Sequence, residues 1–388
     1  MFMQRKWGLK GWVWFFLLGA GSYPAMAQSG NFFIRNFAPA QYRTPMNLSS
    51  PQNWDILQDH RGVVYIVNTS VLLEFDGVRF RNVAGTENFI GVRNLARDAA
   101  GRIYFGGDAP HLGYLAPDSA GQQQVVLLSE KIPEKDRPAS ILKTIATTEA
   151  IAFVAKSAIY LYRADTFAIF PAQETIEDAF NVHGRLLISV SGKGLFHFTE
   201  GKLEPLPFNA QIAQSHILAV LPSDTFRGKN NWLICTEDAG LFRVTENTAR
   251  PLATSFDYEF KNGGLLSAIK TSQNTFAIGT RISGIVILDA EGRILQHINR
   301  SQGLIDDQVN GLYQDDQGGL WGALGQGLTR MEYPSAIRFY NYTNRLEGIV
   351  ISVLKKGDHL YVGTTYGFFH LDLRKPGDFT RYNEMVQT

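Results

Sequence analysis

GLIDDQVNGLYQDDQGGLWGALGQGL, residues 303–328, reads as strand, tight hairpin, strand and glycine turn. Val309, Leu312 and Tyr313 form a short apolar run with no helical continuation. Asp315-Asp316-Gln317-Gly318 is turn chemistry, because Asp bonds its own backbone and Gly accepts positive φ. Leu320-Trp321 restarts an apolar strand, and Gly325-Gln326-Gly327 turns the chain again. Degraded copies of this unit run through most of the chain. Their second strands are anchored at Tyr65, Tyr104, Phe153, Leu187, Leu233, Ala277, Trp321 and Tyr361, spaced 39, 49, 34, 46, 44, 44 and 40 residues apart. A mean spacing of about 42 is the blade length of a propeller of four-stranded sheets. The apolar runs last four to six residues and end at Gly, Asp or Asn, so strands are expected over helical repeats.

The first copy, from Trp54, places Asp59 and Gly62 where Asp315 and Gly318 stand. The second keeps Asp98 and Gly101, the third (Ile141 to Tyr162) is the most degraded, and the fifth has an expanded hairpin over Asp224 to Asn231. The eighth, around Tyr361-Val362-Gly363-Thr364, is the cleanest second strand. One blade cannot bury both of its faces alone, so the array must stack and close. Phe32-Phe33-Ile34-Arg35-Asn36-Phe37 resembles Ile337 to Tyr342 and is expected to supply the closing strand.

Composition bounds the function. The 388 residues are 45% hydrophobic, ample for a core, and the net charge of +1 carries no basic stripe for nucleic acid. The first residues read as a targeting segment: Arg5, Lys6 and Lys10, the apolar run 11–19, and Ala25-Met26-Ala27 as a cleavage site, with an uncleaved anchor as the alternative. No later stretch reaches the length of a transmembrane helix. The expectation is an exported, periplasmic chain. Cys235, the single cysteine, sits in a strand run and reads as a buried structural thiol.

The unit resembles the two-component regulator propeller repeat, roughly V-x-x-I-x-x-D-x-x-G-x-L-W-x-G-T-x-x-G-L. Val309, Leu312, Asp315, Gly318, Leu320, Trp321, Gly327 and Leu328 match it; Tyr361, Gly363, Thr364, Gly367 and Phe368 match its second half. Pro51 to Trp54, Phe75 to Val78 and Leu112 to Leu115 look like the N-terminal sensor part of large bacterial regulators. In that family, propellers precede a sandwich domain, a membrane span and a kinase or DNA-binding output. Ala323 and Leu324 depart from the family's Gly-Thr pair, and the third copy lacks most glycines. The resemblance implies an all-β, most simply seven-bladed propeller in a sensor module whose output is not in this sequence. The expected division is a signal segment at 1–27, a propeller at 28–348, and a further repeat at 349–388 that is the last blade or begins a second propeller. An eight-bladed ring is the alternative.

In a blade, the connection entering the first strand and the turn between second and third strands share one face. Ligands collect where such loops converge. This places Trp54, Arg93, Asp108, His111, His216, Glu237, Asp238, Arg281, Asn310 and Tyr366 on one candidate binding face, beside Gln52, Asn53, Lys193, Ser215, Gln308, Gln326 and Thr365. Amides, mixed charges and rings suit an oligosaccharide, with a ring stacking on the sugar and amides serving its hydroxyls. Solvated loops, with Trp54 as packing, are the plain alternative. Catalytic signatures are missing: no G-x-S-x-G, H-E-x-x-H or paired C-x-x-C. The eight histidines show no metal-ligand spacing, and Asp315-Asp316 is a turn in this register. No cofactor, metal or catalytic residue is therefore expected. The partners expected are an oligosaccharide ligand and downstream signalling domains or a partner protein. A carbohydrate lyase or glycosidase, using Asp108, Glu237 or Asp238, and a protein-interaction scaffold are the competing readings.

Overall fold

The computed structural model describes residues 30–42, 50–86, 91–108, 111–223, 231–245, 247–374 and 378–382. The expected signal segment at 1–27, and most of the expanded hairpin expected in the fifth copy, lie outside them. The chain divides into two compact units, residues 30–346 and a second holding residues 347–388.

The fold is an all-β propeller architecture: the described residues form eight four-stranded antiparallel sheets, one for each expected repeat. Seven belong to residues 30–346. Their first strands are Asn53–Gln58, Val92–Arg97, Lys143–Ala146, Ile176–Val182, Ile217–Pro222, Leu265–Lys270 and Val309–Gln314. Each neighbours the next, and the last neighbours the first again. These first strands are therefore the inner ones, around a common axis. Seven apolar clusters fill the junctions between successive sheets, including one between the seventh and first built from Trp321, Ala323 and Leu328 against Ile56, Ile66 and Leu73. Alternation along each strand explains this, since odd residues meet one neighbouring blade and even residues the other.

The seventh sheet holds only three strands from its own repeat. Ile34–Phe37 supplies the fourth, pairing antiparallel with Leu328–Met331 in the register Ile34↔Met331 to Phe37↔Leu328. The closing role expected of this segment is what the chain adopts. Phe37 then stacks on Trp321, centroids 5.6 Å apart and planes within 6°. The look-alike segment forms no regular strand; Phe339 makes a single bridge with Asn31. Across the junction with the first sheet, the Asn53 side chain donates to the Gly327 carbonyl at 2.8 Å.

The D-x-x-G hairpins fold for the expected reason. Asp315 Oδ1 accepts from the amides of Gln317 (3.1 Å) and Gly319 (2.7 Å), and Gly318 sits at φ +87°. Its Oδ2 accepts from Trp321 Nε1 at 2.9 Å and Arg330 Nε at 2.7 Å. One carboxylate thus caps the turn and fixes the ring below it. Asp59 repeats the cap in the first sheet, accepting from Arg61 and Val63 amides at 2.8 and 3.0 Å. Seven of the eight expected anchors fall in equivalent positions. The third does not: Ala152, facing Ile145, stands where Tyr65 faces Leu57, so Phe153 is one residue out of phase. With no glycine to mark its hairpin, that copy left its register open in the sequence. Cys235 is buried, and burial pushes its thiol up to about 12, as befits an inert structural group.

The second unit contains the eighth sheet, Val350–Lys356, His359–Thr364, Gly367–Asp372 and Thr380–Arg381. Its first strand is exposed along its whole length.

Candidate functional site

The inner strands begin at one end of the ring, and six of them begin alike. The pairing register skips one residue between Asn53 and Asp55, Val92 and Asn94, Ile176 and Asp178, Ile217 and Ala219, Leu265 and Ser267, and Val309 and Gly311. Each skip is a β-bulge, a device that re-aims a side chain and stops pairing. The skipped residues are Trp54, Arg93, Glu177, Leu218, Leu266 and Asn310. The equivalence of Trp54, Arg93 and Asn310 expected from the repeat is thus their actual geometry, and Glu177, Leu218 and Leu266 join the same row. Leu218 and Leu266 were missed because leucines in a strand run carry no sign of a bulge.

The remaining candidates sit in the adjoining turns. Arg93 Nη2 lies 3.4 Å from Asp108 Oδ2, and the His111 amide donates to the Asp108 carbonyl at 3.1 Å. Burial lowers the His111 imidazole against the pull of Asp108. Trp54 is 37% exposed, and its Nε1 donates to Thr69 Oγ1 at 3.0 Å. Asn310 bridges two blades: its amide donates to the Asn53 carbonyl at 2.8 Å while its oxygen accepts from Gln308 at 2.8 Å. On the fifth and sixth sheets, His216 Nδ1 lies 2.9 Å from Glu237 Oε2, and Arg281 Nη2 lies 3.8 Å from Glu237 Oε1. Arg281 Nε is anchored on the Gly263 carbonyl at 3.0 Å. Asp238 is exposed next to this cluster. The structure therefore gathers two clusters, Arg93–Asp108–His111 and His216–Glu237–Arg281, on the face that also carries Trp54 and Asn310. Tyr366 belongs to the second unit, where it is 63% exposed and its amide donates to Thr364 Oγ1 at 3.1 Å.

A polar belt that sequence reasoning missed lies one residue further along the inner strands. Asp55 accepts from Ile56 and, across a blade boundary, from Leu95, at 2.9 and 3.0 Å. Asn94 accepts from Thr144 at 2.6 Å and donates to Leu142 at 2.7 Å on the next blade. Ser267 donates to Val309 at 3.2 Å. Lys143 Nζ stands 3.9 Å from Asp178 Oδ2. Burial raises both the Asp55 and Asp178 carboxyls, and the charge of Lys143 pulls both partly back. Asp55, Asn94, Asp178 and Ser267 each immediately follow a bulge position; Lys143 stands on the third sheet, whose first strand pairs without a skip.

The opposite end of the ring carries a cleft of about 840 Å³ between the third and fourth sheets. Arg163, Arg185, His197, Glu200, Phe170 and Phe198 line it, the two phenylalanine rings 5.3 Å apart. Its lining comes from hairpins at that end of the blades, not from the loops that enter the first strands.

His359 and His370, taken as unpaired from spacing, meet at 2.9 Å between Nδ1 and Nε2. They are eleven residues apart, and only strand register joins them. Among the described residues no group of three or more His, Cys, Asp or Glu is arranged to hold a metal ion.

No family profile and no curated protein matches the chain. Solved structures do. The extracellular domain of the hybrid two-component system BT3049 of B. thetaiotaomicron is 17% identical, with a TM-score of 0.65 over 91% of this chain and 49% of that one. The extracellular domain of BT4673 from the same organism is 18% identical, with a TM-score of 0.60 over 91% and 47%. The chain thus spans about half the length of these extracellular domains. A catalytically inactive histidine variant of virginiamycin B lyase from Staphylococcus aureus, solved with quinupristin, is 12% identical, with a TM-score of 0.56 over 77% and 99%. These extracellular domains of two-component systems are the kind of protein that the repeat resembles, and the fold is shared with them and with the lyase. Among the described residues no helix is long and apolar enough to cross a membrane.

Proposed function

We propose that this chain is the exported sensor part of a two-component-type regulator and that it binds an extracellular oligosaccharide on the bulge face. Residues 1–27 act as its cleaved signal segment. Residues 28–348 form a seven-bladed ring, and residues 349–388 begin a second propeller. The single observation that carries the binding reading is the row of bulged residues, with Trp54, Arg93 and Asn310 adjacent around one end of the ring. An aromatic ring, a guanidinium and an amide are the groups that a sugar's apolar face and hydroxyls need. Likeness to extracellular domains of two-component systems supports a sensor role. Signalling would follow from a ligand favouring one arrangement of downstream domains, through its differential affinity for the two states. The test is thermal unfolding of residues 28–388 across a glycan panel, since a ligand of the folded state raises the midpoint by mass action. One glycan class should raise it, and Trp54→Ala and Arg93→Ala should remove the shift. A shift that survives both variants refutes this face.

A second reading has one observation in its favour. His216 and Glu237 form a histidine–carboxylate dyad with Arg281 beside it. Such a dyad orients an imidazole for proton transfer. The lyase of the same fold loses activity through a single histidine substitution. Consumption of a glycan by the purified chain, abolished in Glu237→Gln, would establish an enzyme; unchanged glycans after long incubation would exclude it.

A further inference from the structure

The geometry points to a transition-metal site on the eighth sheet, in which His359 and His370 chelate one divalent ion of the Cu²⁺ or Ni²⁺ type. Tyr361 pairs with His370 and His359 pairs with Asp372, so the two histidines are diagonal neighbours on one face of adjacent strands. Their rings are nearly parallel, 27° apart with centroids at 5.0 Å, and both are half-buried. The facing nitrogens, His359 Nδ1 and His370 Nε2, are 2.9 Å apart. Metal–nitrogen bonds of about 2.0–2.1 Å meeting at a right angle span about 2.9 Å, whereas a tetrahedral angle spans about 3.3 Å. The observed separation fits two cis positions of a tetragonal ion, the geometry that Cu²⁺ and Ni²⁺ favour with nitrogen and oxygen ligands.

The chemistry balances without a further reactant. Two neutral imidazoles facing each other at this distance share one proton between their nitrogens. The ion takes its place: the bridging proton passes through solvent to the outer nitrogen of the same ring, and both inner lone pairs turn toward the metal. Water fills the remaining positions, because Asp372 is engaged by Arg374 through two contacts of 3.0 Å. Stacking of Tyr361 against His370, centroids 5.0 Å apart, limits how far that ring swings. This inference does not depend on the glycan reading.

The test is titration of the full chain with Cu²⁺ alone, followed by electron paramagnetic resonance. One ion should bind with hyperfine splitting from two imidazole nitrogens. His359→Gln and His370→Gln should each weaken binding at least tenfold and leave one nitrogen in the spectrum, with circular dichroism unchanged. If either variant unfolds, protection of these two histidines from diethylpyrocarbonate by Cu²⁺ in the native chain reads the same contact. Binding that is unaltered in both variants, or two histidines equally modified with and without the ion, overturns the proposal.

Discussion

The seventh and eighth sheets carry nearly the same sequence unit and have opposite fates. Leu320–Leu324 is buried at every position, while the equivalent His359–Thr364 is buried at only two. In the first strand the contrast is sharper: Val309, Gly311 and Leu312 are buried, whereas their counterparts Val350, Ser352 and Val353 are all exposed, Val350 and Val353 by 47 and 62%. The seventh sheet has a blade on each face and a fourth strand from the start of the described chain. The repeat therefore encodes a sheet, and neighbours determine what it buries.

The comparison breaks most visibly at the anchor ring. Trp321→Ala should cost about 3–5 kcal/mol, the usual loss for a large aromatic in a core. Tyr361→Ala, its counterpart on the eighth sheet, should cost less than about 1.5 kcal/mol, mostly its ring contacts. Urea denaturation of both variants in the full chain measures the difference, and equal costs would mean that the eighth sheet is packed as tightly as the seventh. Next in size is the carboxylate under the tryptophan. Asp315→Ala leaves the buried Trp321 N–H and the Arg330 guanidinium without their shared acceptor, and about 3 kcal/mol should be lost. A loss below about 1 kcal/mol would show that water or Glu332 takes over.

A smaller effect sharpens the contrast by pH. Asp178 has its carboxyl raised by burial. A carboxyl whose folded pKa lies above its unfolded one binds its proton more tightly when folded. It therefore supports folding in acid, and that support is lost as pH rises through the folded pKa. Asp178→Asn should gain stability relative to the parent between about pH 4 and pH 7, where the unfolded carboxyl is already ionised. Denaturation midpoints at the two pH values check this, and a parent that gains more than the variant over that range would mean that Lys143 outweighs burial. The least effect is at the junction hydrogen bonds. Asn310→Ala should cost about 1 kcal/mol by releasing the Asn53 carbonyl. At the equivalent eighth-sheet position, replacing the exposed Ile351 by Ala should change stability by no more than about 0.5 kcal/mol.

Much of this was legible in the chain itself. Asp315-x-x-Gly318 predicts a capped hairpin because the capping oxygen, the amides and the positive-φ glycine are all within five residues. The same logic locates Asp59–Gly62 and Asp98–Gly101. Where the local signal fades, as at Phe153, the register slips by one. The candidate site was legible in part. The equivalence of Trp54, Arg93 and Asn310 follows from the repeat, but Leu218 and Leu266 give no hint of a bulge. Nor does spacing reveal that His216 reaches Glu237 or that His359 meets His370.

Local sequence specifies that the chain makes repeated antiparallel sheets, where their hairpins turn, and which end of each sheet carries polar residues. These are local matters, decided by backbone preference and by the two-residue alternation of a strand. Only the tertiary structure decided which strands become neighbours: Ile34–Phe37 completing a sheet nearly three hundred residues away, Asp55 bonding the next blade, and Lys143 standing beside Asp178. Those contacts depend on closing long loops around an axis, and burial and charge take their values there only after closure.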